Sequence, residues 1–91
     1  MLQPPSTIPE AVDRLLLILT PEDRLAIATI QKGDLINLHF TLGMSIRNAF
    51  GLHEPDSLLL AACRPSVDPD DASHMIIMEL WNRILYSTTA I

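Results

Sequence analysis

The sequence predicts an all-α fold, a bundle of four to five short helices around one core. Three observations predict it. A proline-and-acid helix start occurs in "TIPE" at Thr7, in "TPED" at Thr20 and in "DPDD" at Asp68. Apolar residues recur at helical spacing in several segments. The 91 residues are 48% apolar and 19% charged, which is the balance of a folded chain and not of a disordered one. That length supplies one core, so residues 1–91 are read as a single domain, with 1–7 and 87–91 as flexible ends.

Each start combines a capping side chain, a first-turn proline and an acid. Proline is tolerated because the first helical N–H groups have no partner. The acid suits the positive end of the helix dipole and can cap backward. The first helix is expected from Pro9 to Leu19, with Ile8, Ala11, Val12, Leu15, Ile18 and Leu19 on one face. Glu10 and Arg14 are spaced to pair across one turn. The second helix follows Pro21 and stops before Gly33. The third is expected as one α-helix after Gly33, capped by Asp34 and running to Phe50, with a stripe of Leu35, Leu38, Leu42, Ile46 and Ala49. Gly51 reads as its left-handed cap, with Leu52 folding back onto Ile46.

"DSLLLAAC" (56–63) has no clear apolar period. Its Leu/Ala content favours a short helix capped by Asp56, with a buried strand as the other reading. "RPSVDP" reads as a loop. The last helix is expected from Pro69 to Tyr86, with Met75, Ile76, Leu80, Trp81 and Ile84 on one stripe, Ile77 at its edge and Trp81 at the centre of the core.

Composition narrows the function. The formal charge is -5, and no Lys/Arg run is present, so direct nucleic-acid binding is not expected. The longest apolar run, "LLLIL" (15–19), is too short for a bilayer, so no membrane partner is expected. The opening "MLQPPSTIPE" lacks the basic and apolar regions of a signal peptide. With Cys63 as the single cysteine, nothing calls for an oxidising compartment. The expected location is the cytoplasm.

The polar residues to weigh are His39, Arg47, Asn48, Asp70, Asp71 and Ser73. His39, Gly43 and Arg47 are four apart and line one strip. A mid-helix glycine costs nearly 1 kcal/mol against alanine, so Gly43 signals a close approach. Arg47 lies at a helix C-terminus, while Asp70 and Asp71 lie at a helix N-terminus. Each charge suits its own dipole, and an ion pair would join the two ends. On this reading His39 is buried, hydrogen-bonded and structural, and Asn48 caps a neighbouring loop. The other reading is an exposed strip that grips a ligand. His39, His53 and His74 show no metal-ligand spacing, so no metal or other cofactor is expected. Ser73 sits in no nucleophile elbow, and Cys63 beside "LLLAA" reads as a small core residue, so no catalytic residue is assigned.

Three stretches, "EAVDRLL" (10–16), "LHFTLGMSIRNAFGL" (38–52) and "PDDASHMIIMELW" (69–81), resemble a family of small, uncharacterised bacterial helical domains. The shared pattern is His-Phe-x-x-Gly-Met-x-Ile-Arg-Asn-x-x-Gly-Leu, followed by Pro-Asp-Asp-Ala-Ser. Ser45 departs from it where an aromatic residue is frequent. The resemblance implies a helical domain in a bacterial or mobile-element setting and no particular reaction. It singles out the same six polar residues.

The function expected from these features is a non-enzymatic protein-interaction module with an acidic helical surface. An immunity or anti-defence protein of bacteria or phage is one form of it. The alternative is a small-ligand-binding protein or enzyme using His39, Arg47, Asp70 and Asp71. Leu17 lies opposite the first helix's apolar stripe, and Ile27 lies away from Ile30. Both are read as extra apolar surface at a two-fold homodimer interface.

Overall fold

A computed structural model describes residues 3–63 and 68–89. These residues form helices and turns, with no strand among them. The order is α1 (Ile8–Ile18), α2 (Pro21–Ala28), a composite helix, α4 (Leu58–Ala62) and α5 (Pro69–Thr89). The composite helix runs as 3-10 turns over Lys32–Leu38, a π segment over His39–Gly43 and a short α-helix, α3, over Met44–Ala49.

The caps predicted at the three proline-and-acid starts are in place. Thr7 Oγ1 accepts from the Glu10 amide at 3.2 Å. Thr20 and Asp23 form a reciprocal capping box. Asp68 Oδ1 accepts from the Asp70 amide at 2.9 Å. Gly51 has φ of 66°, and the Leu52 amide reaches the Arg47 carbonyl at 3.0 Å, closing α3 with a left-handed turn. Leu52 is fully buried, which anchors that turn in the core.

Helix α5 is the central element. It packs on α1, on α2 and on all three parts of the composite helix. Ala72, Ile76, Ile77, Leu80 and Ile84 are buried along it and meet Val12, Leu15, Leu35, Ile46 and Leu59. An ion pair of 2.7 Å between Arg83 and Asp13 ties α5 to α1 at the surface.

Several expectations are corrected. The segment after Gly33 is not one α-helix. Thr41 Oγ1 donates to the Leu38 carbonyl and Arg47 Nη2 to the His39 carbonyl, so side chains enter the backbone ladder there. Asp34 is not the N-cap, because the 3-10 turns begin two residues earlier and Gln31 precedes them. Ser57, not Asp56, caps α4, accepting from the Leu60 amide at 3.0 Å. Ile27 is buried in the core, so it adds no exposed apolar surface. Trp81 is half-buried, and its indole N–H holds the Ile30 carbonyl at 2.9 Å, clamping the exit of α2 to α5. Glu10 accepts from Ser6 and Thr7, whereas Arg14 turns to the Gln3 carbonyl. Pro5 is fully buried, whereas Gln3, Pro4 and Thr7 are exposed. Helix α5 continues to Thr89, past the expected end at Tyr86. The expected loop "RPSVDP" lies largely outside the described residues.

A buried arginine and the open groove beside it

Four of the six singled-out residues meet where the composite helix crosses the start of α5. Arg47 is 6% exposed, and its guanidinium is surrounded by acceptors. Nη1 donates to Ser73 Oγ at 2.9 Å and lies 3.4 Å from His39 Nδ1. Nη2 donates to the His39 carbonyl at 3.0 Å. Nε faces Asp70 Oδ1 at 3.5 Å. Ser73 Oγ in turn donates to the Asp70 carbonyl at 2.9 Å. Buried charge is tolerated only when paired and hydrogen-bonded, and this set meets that condition.

Gly43 makes the room. A Cβ there would stand 3.0 Å from Arg47 Nη1 and 3.3 Å from the Leu38 carbonyl oxygen. So the close approach signalled by the glycine is that of a guanidinium and not of a second backbone. On its other side the His39 ring brings Nε2 to 4.0 Å from Asp70 Oδ2. His39 is only half-buried, and Phe40 meets its ring edge-on at 4.7 Å.

The ion pair expected between Arg47 and an acid is formed with Asp70. Asp71 is exposed and lies on the wall of a groove. Asn48 is exposed, and its side chain makes no hydrogen bond to a described residue, so it does not cap a described neighbouring loop. Cys63 is fully buried, and burial pushes its thiol above the ordinary range, which keeps it protonated at neutral pH. Among the described residues, no three His, Cys, Asp or Glu side chains converge on a metal-sized position.

Outside the cluster runs an open groove between the composite helix and the first turns of α5. His39, Phe40, Asp70, Asp71 and His74 line it. Ile36, Phe40 and Met44 are four apart and all exposed, Phe40 to 76%. Ile36 and Phe40 line the groove, and Met44 is exposed farther along the same segment. The sequence reading missed them. The signal was there: all three fall off the Leu35/Leu38/Leu42 stripe at their own helical spacing.

The family model described as a domain of unknown function (DUF6794) matches residues 4–84. The chain belongs to this family. The match runs from Pro4 through most of α5, so the arginine cluster and the groove both lie inside the family domain. No curated protein and no solved structure matches the chain. Among the described residues, no helix is long and apolar enough to cross a membrane.

Proposed function

We propose that the chain is a non-enzymatic protein-interaction module and that the groove side of the composite helix is its working face. The observation that carries this reading is the exposure of Ile36 and Phe40 in an open groove with acids on its far wall, with Met44 exposed farther along the same segment. A contiguous apolar patch rimmed by polar groups is the usual mark of a docking surface. In bacteria or phage, an immunity or anti-defence protein is the form of this reading that small size and net acidity favour. The alternative, a small ligand or substrate held by His39, Arg47, Asp70 and Asp71, has less support. Arg47 and Ser73 are buried, and their donors already face acceptors of the same chain.

Affinity capture with the tagged chain from its native host is expected to return one protein in near-stoichiometric amount. Recovery of no protein, with a small-molecule extract that raises the melting temperature, would overturn the reading in favour of a ligand. Self-association belongs to the same proposal. Leu17 is 86% exposed, and Ile18 and Leu25 are exposed on the same pair of adjoining helices. Sedimentation is expected to show a dimer that Leu17→Glu dissociates. A wild-type monomer at high micromolar concentration would remove the dimer from the proposal.

A further inference from the structure

We infer that Arg47 is a positioning residue for Phe40. Acting through His39, it holds this exposed ring in one orientation in the free protein, so the aromatic contact of the working face is formed before a partner arrives. The inference rests on the interaction-module reading and adds how that face is ordered.

An exposed side chain ordinarily exchanges among its staggered rotamers within picoseconds to nanoseconds. Phe40 is exposed, but its ring does not stand alone. It meets the His39 ring with 4.7 Å between centroids and 86° between planes. Edge-to-face contact of this kind is a favoured arrangement of aromatic rings. Neighbouring side chains on an α-helix do not face each other, and these two belong to the π segment.

His39 is itself gripped at two points, and both lead to Arg47. Nη2 donates to the His39 carbonyl at 3.0 Å, which fixes the backbone. Nη1 stands 3.4 Å from His39 Nδ1, which steadies the ring. Arg47 is fixed in turn. It is buried, and Nη1 also donates at 2.9 Å to the buried Ser73 hydroxyl of α5. Asp70 supports the ring less, because its carboxylate lies 4.0 Å from Nε2 and its side chain is 58% exposed. A continuous line of contacts therefore runs from the core side of α5, through the guanidinium and the imidazole, to an exposed phenyl ring. Ordering that is already complete in the free protein does not have to be supplied on binding.

The test reads the χ1 angle of Phe40 by NMR in the ¹³C,¹⁵N-labelled chain without any partner. Three-bond couplings from its Cγ to the amide nitrogen and to the carbonyl carbon report the rotamer. The wild type is expected to give the couplings of a single rotamer, with nuclear Overhauser contacts between the rings of residues 39 and 40. His39→Phe keeps an aromatic neighbour and removes the ring nitrogen that faces Arg47. Arg47→Lys keeps the charge and removes the paired donors. In each variant whose other amide signals show the native fold, the Phe40 couplings are expected to fall to rotamer averages. A purely structural role for Arg47 would lower the melting temperature and leave the couplings of the folded molecules unchanged. If Arg47→Lys does not fold, the wild type and His39→Phe decide. The inference is overturned by averaged couplings in the wild type, or by single-rotamer couplings in His39→Phe or in folded Arg47→Lys. Because no partner enters the measurement, it stands or falls separately from what affinity capture returns.

Discussion

Helices α1 and α2 and the composite helix are built on opposite plans. The first two are short, regular and closed at their starts by side chains three residues away. The composite helix changes pitch twice in 18 residues (32–49), and no side chain caps any of its three parts. What holds it is Arg47, which reaches back eight residues to His39 and across 26 to Ser73. The comparison teaches that a helix organised by local caps keeps standard geometry. A helix organised by one buried, long-reaching cation is free to depart from it. The departure falls where the candidate docking face lies, in keeping with the frequent placement of π segments at functional positions.

The largest expected effect breaks the second plan at its centre. Arg47→Met should lower stability by about 1–3 kcal/mol for each buried acceptor that loses its donor, the Ser73 hydroxyl and the His39 carbonyl. Asp70→Asn should cost less than about 1 kcal/mol, because that partner is more than half exposed and its ion pair is screened. Denaturant unfolding of both variants measures the difference. Equal losses would mean that the ion pair, and not the buried hydrogen bonds, holds the joint.

Gly43→Ala is next. Its Cβ would press on Arg47 Nη1 and the Leu38 carbonyl, and overpacking of this kind costs about 1–3 kcal/mol. A local cap weighs less. Thr20→Ala should cost about 1 kcal/mol, read as a drop in the denaturation midpoint at unchanged slope. The smallest effect has the opposite sign. Gly33 has no atom within 4 Å of an added Cβ, so Gly33→Ala should stabilise by roughly 0.4–1 kcal/mol. Thermal melts of the two glycine variants should shift in opposite directions. A common direction would show that backbone freedom, and not the guanidinium, sets the value of Gly43.

What the sequence reveals follows the same division. Thr7, Thr20, Asp68 and Gly51 act within a few residues of themselves, so their roles are legible from spacing alone. The meeting of Arg47 with Asp70 is also legible, because opposite charges at opposite helix ends have one natural way to combine. The change of pitch is not. It depends on Arg47 and Thr41 competing for carbonyls that an α-helix would use itself, and apolar spacing tolerates either outcome. Ile27 fails for another reason. Helix α2 has eight residues with no dominant apolar face, so nothing local shows that Ile27 faces inward while Leu25 faces out. Phe40 was legible, because it falls off the Leu35/Leu38/Leu42 stripe.

The 3-10 turns of residues 32–38 have a consequence for motion. Their seven residues rise about 2.0 Å each against 1.5 Å in an α-helix, so the segment reaches roughly 3.5 Å farther for the same length of chain. That reach comes with poorer hydrogen-bond geometry, and only Leu35 is buried along the stretch. Its amides should therefore exchange with deuterium well before those of α5, as local opening concentrates where few buried contacts oppose it. Ile36 would then ride on the first part of the molecule to open. A partner seated on it would be recorded first as slowed exchange at Lys32–Leu38.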